Sequence, residues 1–110
     1  MKLLHKDGAT TVVRSADGLD ITDSLRGAYL QIARNVLDQG ILGAVVKSGS
    51  PSCAAGGTPL FSEQDGSLRV DGVGLFVQAL RGLAPDLPVI DEIAFEDDGR
   101  REAFFLLMGA

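Results

Sequence analysis

The residues best suited to chemistry lie together in the middle of the chain. Residues 48–59 read SGSPSCAAGGTP and include Cys53, the only cysteine of the protein. Serine hydroxyls and the accessible N–H groups of glycine-rich turns are groups with which loops bind anions. The stretch is also longer than an ordinary connection, and long loops often carry function. It predicts a ligand-binding loop with these candidate residues: Lys47, Ser48, Ser50, Ser52, Gly56 and Gly57.

The same residues also allow other interpretations of the loop, and some of these are excluded by the sequence. A long surface connection around a half-buried cysteine is the usual setting of a lone Cys, and that alternative stays open. A Walker phosphate loop is excluded because no Gly-Lys-Ser/Thr follows the glycines. Cys53 as a nucleophile would need a base, and the only histidine, His5, lies in the first predicted hairpin. One cysteine and one histidine are also too few for a metal site within one chain.

A helix followed by a buried strand must position this loop. Apolar residues recur at helical spacing between residues 25 and 37, which predicts a helix with Thr22 as its N-cap and Gly40 as its left-handed end. The unbroken apolar run 41–46 is typical of a central parallel strand buried on both faces. The loop then follows the carboxyl end of that strand, where open α/β sheets bind ligands.

The flanking segments predict further short elements around this unit. They are a β-hairpin of residues 2–5 and 10–14 around the turn Asp7-Gly8, a polar excursion over 62–69, a helix capped by Asp71, a short strand at Val89-Ile90 and a last helix over 100–108. We expect one α/β domain with a small, mostly parallel, Rossmann-like open sheet, an N-terminal β-hairpin and about three helices. The hairpin occupies residues 1–15, the core 20–92 and the C-terminal helix 93–110.

Composition limits the classes of function. The chain has 110 residues, 45% of them hydrophobic and 23% charged, which is the balance of a single globular domain. Its formal net charge is −5, so it lacks the basic face that direct nucleic-acid binding requires. No apolar run is long enough to span a bilayer, and the N-terminus is too short for a signal peptide. We therefore expect a cytoplasmic protein that does not bind membranes.

An acidic run near the C-terminus is a second candidate site. Five of the eight residues from 91 to 98 are acidic, and such a surface suits a protein partner with a basic surface. A solvated turn is the alternative interpretation of the run. Glu92 directly follows a predicted strand, so it can share an edge with the ligand-binding loop. The candidate partner-binding residues are Asp91, Glu92, Glu96, Asp97 and Asp98.

The segment from Ala44 to Cys53 resembles the signature of the 2-thiouracil desulfurase family. That family has an apolar strand, then a lysine, then Ser-Pro-Ser-Cys, as residues 44–53 do. Further segments in the same order along nearly the whole chain are similar to the family pattern. They are residues 1–8, Asp20-Ile21-Thr22, Asp71-Gly72-Val73-Gly74, residues 87–92 and Arg101-Glu102-Ala103-Phe104. The two glycines Gly72 and Gly74 do not form a dinucleotide fingerprint, and we interpret them as allowing close packing at a helix start.

The resemblance implies a specific chemistry. Members of this family have a Rossmann-like parallel sheet and hold a [4Fe–4S] cluster by three cysteines, with one iron free to take sulfur from a thiolated pyrimidine. It implies that Cys53 is a cluster ligand and that Ser50 is a polar catalytic residue on the substrate side. The family segments that carry two further cysteines and a catalytic acid have no counterpart here, and Ala54 replaces the glycine that follows the family's cysteine.

These departures lead to three functional hypotheses. The first is a non-catalytic, regulatory or inhibitory relative, of the small acidic kind that phages use, which binds its partner through the acidic surface. The second is an iron–sulfur-dependent desulfurase completed by a second chain or a missing N-terminal segment. The third is a module that binds a nucleobase or an anion in the loop. We expect no cofactor unless another chain supplies further cluster ligands. The resemblance also implies that the first parallel strand of the family's sheet is missing, which would expose a sheet edge that a partner or a homodimer mate could cover.

Overall fold

The α/β class and the N-terminal hairpin form as the sequence predicts. The computed structural model describes residues 1–6, 9–62 and 68–109, and the predicted Asp7-Gly8 turn lies outside them. In chain order the elements are β1 (Lys2–Lys6), β2 (Ala9–Val13), α1 (Thr22–Asp38), β3 (Ala44–Val46), β4 (Thr58–Ser62), β5 (Leu68–Gly72), α2 (Leu75–Leu83), β6 (Val89–Asp91), α3 (Glu92–Glu96) and α4 (Asp98–Leu107). The short α3 adds a fourth helix to the three expected.

A core cluster lies between the larger sheet and helices α1 and α2. The strands of this sheet follow the order β2-β1-β4-β5, and β1 pairs antiparallel with β2 so that Leu3 lies opposite Val12. Both side chains are buried, together with Leu60 of β4 and Leu75 of α2. Tyr29 on the apolar face of α1 packs against this cluster. The apolar face of α1 therefore packs against α2 and against this cluster.

The strand pairing differs from a single, mostly parallel sheet. β3 pairs in parallel with β6 in a separate two-stranded sheet, and β1 pairs in parallel with β4, whereas β1–β2 and β4–β5 are antiparallel. The cause is the segment 58–72, for which the sequence predicts loop, polar excursion and a helix cap at Asp71, and no strand. It supplies β4 and β5, which join the N-terminal hairpin instead of extending the β3–β6 pair. The apolar run at 41–46 still provides a parallel strand, Ala44–Val46.

Two predicted helix caps are wrong, and one predicted helix end is confirmed. Thr22 is the first residue of α1 rather than its cap. Its Oγ1 accepts a hydrogen bond from the Val12 amide at 2.8 Å instead of one from an amide of the helix. The same hydroxyl donates to Asp20 Oδ1 at 2.6 Å, which ties α1 to the hairpin. Asp71 lies in β5, and α2 begins after Gly74. Gly40 has φ +78°, the left-handed conformation predicted for the residue that ends α1.

The C-terminal segment packs onto the smaller sheet. The predicted last helix begins at Asp98, and its Phe104 is buried with 3% exposure. The Phe104 and Phe95 rings are edge-to-face, with their centroids 6.3 Å apart. Both Phe104 and Met108 also lie close to Gly43, just before β3. A side chain at Gly43 would collide with these two residues, so the backbone there is covered directly by α4. Within the described residues, every helix is too short or too polar to cross a membrane.

Candidate functional site at the ends of β3 and β6

The loop after β3 is a folded turn built on Ser50. The Ser50 hydroxyl accepts hydrogen bonds from the amides of Ser52 and Cys53, each at 3.1 Å. The Ala54 amide donates to the Ser50 carbonyl at 2.9 Å, which closes one helical turn. Serine does this well because its short side chain reaches the first unpaired amides of a helical turn. The result holds Cys53 in place as a free, half-buried thiol.

Ser52 is fixed by a contact that no sequence pattern predicts. Its hydroxyl shares a hydrogen bond with the phenol of Tyr29, with the two oxygens 2.5 Å apart. Tyr29 lies on the apolar face of α1, and its helical spacing predicted only a packing role. The hydroxyls of Ser50 and Ser52 are therefore both engaged within the chain, and the loop is held against α1 as well as against its own backbone.

The start of α2 anchors the same loop. Gly74 donates its amide to the Ala54 carbonyl at 2.8 Å, and the next two amides, of Leu75 and Phe76, donate to the carbonyls of Pro51 and Ser52 at 3.0 and 2.8 Å. A Cβ at Gly74 would lie 2.4 Å from the Ser52 carbonyl carbon, so only glycine permits this approach. The interpretation of the Gly-x-Gly segment as a close-packing device agrees with this geometry.

Glu92 lies at the same edge, where β3 and β6 end. Its carboxylate accepts hydrogen bonds from the Ser48 amide at 2.7 Å, the Ser48 hydroxyl at 2.6 Å and the Lys47 ammonium at 3.0 Å. Hydrogen bonds from Ser48, followed by that from Lys47, lower the pKa of Glu92 from its ordinary value of 4.5 to about 2. The carboxylate is thus an anion that joins the ends of the two strands.

Gly56 and Gly57 lie at the exposed far end of the loop. Gly57 has φ +77°, a conformation that favours glycine, and Gly56 is also exposed. The loop closes where the Thr58 hydroxyl donates to the Gly49 carbonyl at 3.0 Å. The structure therefore brings Lys47, Ser48, Ser50 and Ser52 into one folded segment. His5 lies in β1, opposite Thr10, and takes no part in that segment.

Most of the acidic run has partners within the chain. Asp91 accepts from the Ala94 amide at 2.8 Å and caps α3, and Asp97 accepts from the Arg100 amide at 2.9 Å and caps α4. Asp98 forms an ion pair with Arg101 at 2.7 Å. With Glu92 bound to Ser48, four of the five candidate partner-binding carboxylates have structural roles. Glu96 is the exception among the described residues, and it is exposed.

The chain is similar to proteins of one known family. A model of the 2-thiouracil desulfurase family matches residues 1–92, which is most of the chain. The chain belongs to the 2-thiouracil desulfurase family. A solved [4Fe–4S]-dependent thiouracil desulfidase, TudS, is similar in structure with a TM-score of 0.65 and 25% sequence identity. The match covers 96% of this chain but 64% of that one, and no curated protein matches the chain.

A [4Fe–4S] cluster, as named for that desulfidase, needs more ligands than this chain offers. Holding a [4Fe–4S] cluster takes several thiolates, and this chain has one cysteine. In the parts of the chain that the structure describes, no three His, Cys, Asp or Glu side chains are grouped so that they could hold a metal ion. The residues of this desulfurase-family chain alone therefore do not fit the cluster.

Proposed function

We propose that this chain forms one part of a thiouracil desulfurase site, in which a further polypeptide segment supplies the cluster ligands that this chain lacks. The observation that carries the proposal is the placement of Cys53. It is a free thiol in a turn fixed by Ser50 and by α2, just beyond the carboxyl end of the parallel strand β3. Family membership supports the same chemistry, and Cys53 is then one thiolate of a shared site.

The unpaired edge of β3 is where such a segment would pair with this chain. Among the described strands β3 pairs only with β6, and a two-stranded sheet is marginal by itself. Leu42, just before β3, is 65% exposed, and Val45 within β3 is 46% exposed. A further strand along this edge would satisfy its backbone groups and cover both side chains. The solved desulfidase, which is longer than this chain, has additional residues that could supply such a strand.

The polar residues have supporting roles in this proposal. Glu92, Ser48 and Lys47 fix the ends of β3 and β6 relative to each other. Ser50 and Tyr29 hold the turn that carries Cys53, through the Cys53 amide and the Ser52 hydroxyl. Ser50 then contributes by positioning the turn, whereas the resemblance implies a catalytic role on the substrate side.

Anaerobic iron–sulfur reconstitution tests the proposal. The parent chain and Cys53→Ala are each reconstituted alone and together with the part of the solved desulfidase that this chain does not cover, produced as a second polypeptide. We expect iron and a cluster absorption band only for the parent with its second polypeptide. Glu96→Gln, a substitution on an exposed side chain, is the control and should match the parent. Equal iron in the parent and Cys53→Ala mixtures would contradict the proposal.

A second candidate function is non-catalytic binding of a basic protein partner. The observation that favours it is that Glu96 and Glu102 are both exposed and have no side-chain partner among the described residues. Its test uses Glu96→Gln with Glu102→Gln, because neutralising Asp91 or Asp97 would uncap a helix. Titration with a lysine-rich peptide should show salt-dependent binding that the double variant weakens. Identical binding by the double variant would rule out this surface.

A further inference from the structure

A cleft separate from the Cys53 thiol lies between β6 and α4. Its volume is about 450 Å³, within the range of about 300–1,000 Å³ typical of small-molecule sites. Ala55 and Gly56, at the end of the loop, form one side of it. The opposite side comes from α4, which lies beyond the part of the chain that matches the family. The cleft therefore joins the loop that the family model matches to a helix that lies beyond the end of that match.

The walls of the cleft are largely apolar. β6 contributes Val89 and Ile90, and α4 contributes Ala103, Phe104 and Leu107. Together they form an apolar surface that favours contact with an apolar body of about the size of a ring over contact with a strongly hydrated ligand.

Two charged residues, one of each sign, also line the cleft. The guanidinium of Arg100 has no hydrogen bond or ion pair to any residue in the described ranges, although its neighbour Arg101 binds both Asp98 and the Phe95 carbonyl. The opposite charge belongs to Asp91, which caps α3 through Oδ1. An unpaired guanidinium beside apolar walls is suited to a carboxylate, which it can bind through two parallel hydrogen bonds. The carboxylate of Asp91 disfavours dianions such as phosphate.

We propose that this cleft binds a small organic monocarboxylate, with its acidic group on Arg100 and a ring-sized apolar body against Ile90 and Phe104. The proposal does not depend on the desulfurase site, because neither Cys53 nor Ser50 lines the cleft. It assigns Arg100 the role of selecting a single negative charge, and it assigns the apolar face of α4 the role of selecting the body of the ligand.

Titration of the full chain with three probes tests this assignment. Benzoate carries the ring and the carboxylate, benzamide has the same shape without the charge, and inorganic phosphate has charge without the ring. Amide shifts in the ¹⁵N NMR spectrum report the site, at concentrations up to about 10 mM, beyond the weak end of small-ligand affinities. We expect benzoate to shift the amides of Gly56, Ile90 and Ala103, with benzamide and phosphate binding at least about tenfold more weakly.

Matched variants separate the charge from the cavity. Arg100→Gln should weaken benzoate about tenfold and leave benzamide unchanged, whereas Arg34→Gln, which removes an exposed arginine of α1 outside the cleft, should change neither. Ala103→Leu fills the cleft from a helical position and should weaken benzoate and benzamide together. Thermal unfolding of each variant establishes that it is folded.

Several binding results would overturn the assignment of the cleft to a monocarboxylate. Equal binding of benzoate and benzamide, binding of phosphate as tight as benzoate, or no shift by benzoate would each overturn the assignment. Benzoate shifts that do not lie around the cleft would overturn it as well. Cys53→Ala should bind benzoate like the parent, so failure of the desulfurase proposal and failure of this one give different results.

Discussion

The side chain of Ser50 stabilises the turn through its hydroxyl oxygen. Its hydroxyl accepts the amides of Ser52 and Cys53, which have no other acceptor in this turn. We expect Ser50→Ala to lower the free energy of unfolding by about 1 kcal/mol, the usual cost of removing a capping hydroxyl. It should also speed the reaction of Cys53 with a thiol reagent, because the turn loosens. Urea unfolding and the thiol reaction rate measure the two effects.

The control for this prediction is Ser50→Thr, which keeps the hydroxyl and should restore most of the stability and the slow thiol reaction. If Ser50→Ala reacted at the parent's rate and unfolded at the parent's urea concentration, the positioning role of Ser50 would be wrong.

The hydrogen bonds of Glu92 lead to a second prediction at the residue scale, on how stability depends on pH. Its pKa is lowered to about 2 by Ser48 and Lys47, so its bonds stabilise the folded chain above the ordinary pKa of 4.5 and are lost as the pH falls from there toward 2. Glu92→Gln should therefore melt below the parent at neutral pH, and the difference should shrink on acidification through this range. Melting temperatures at a series of pH values measure it.

Glu96→Gln is the matched control, because Glu96 has no side-chain partner among the described residues. Its melting temperature should follow that of the parent at every pH. A Glu92→Gln deficit that stayed constant from pH 7 to about pH 2 would contradict the ionic role of Glu92.

At the scale of elements, alanine substitutions at the two ends of α2, at Gly74 just before it and at Gly82 within it, should change stability in opposite directions. Gly74 touches the backbone of Ser52, so Gly74→Ala should destabilise the chain by about 2 kcal/mol through overpacking. Gly82, inside the same helix, has nothing within 4 Å of an added Cβ, so Gly82→Ala should stabilise it by about 0.5–1 kcal/mol. Denaturant unfolding of both variants measures these changes. A tolerated Gly74→Ala would mean that the loop and α2 are not in close contact.

The elements that the sequence predicts well are those whose pattern is local. The apolar spacing of α1 and the left-handed Gly40 follow from neighbouring residues, and so does the loop that begins after β3. The pairing of β1 with β4 joins Leu4 to Phe61, far apart along the chain, and no local pattern encodes that contact. The sequence did predict Glu92 at the same edge as the loop, but no local pattern identifies Ser48 and Lys47 as its partners.

The candidate site was predictable in its residues but not in its contacts. The Ser-Pro-Ser-Cys pattern drew attention to Ser50 and Cys53, yet composition alone suggested hydroxyls open to a ligand. In the fold these hydroxyls bind the chain itself. Tyr29 was missed as a partner because a tyrosine at helical spacing gives the same signal whether or not its phenol meets a polar group. A capping preference would have been a usable signal for Asp91 and Asp97, each of which precedes a helix.

At the scale of the whole molecule, α4 is part of the fold although the family match stops at residue 92. Phe104 is 3% exposed and lies against Gly43, whereas Leu106 on the same helix is 67% exposed. Phe104→Ala should cost about 3–4 kcal/mol, and Leu106→Ala should change stability by less than about 0.5 kcal/mol. Unfolding by urea measures both. Equal, small effects would show that α4 is an appendage that the rest of the fold does not need.

The three hydrogen bonds between α2 and the loop also determine how this region opens. The amides of Gly74, Leu75 and Phe76 have loop carbonyls as acceptors, so deuterium can replace their hydrogens only when the two segments separate. Their exchange rates should therefore be similar to one another, and slower than those of the exposed loop end at Gly56 and Gly57. The turn that carries Cys53 and the first turn of α2 then open as one cooperative unit, and the accessibility of the thiol is governed by the fraying of a helix.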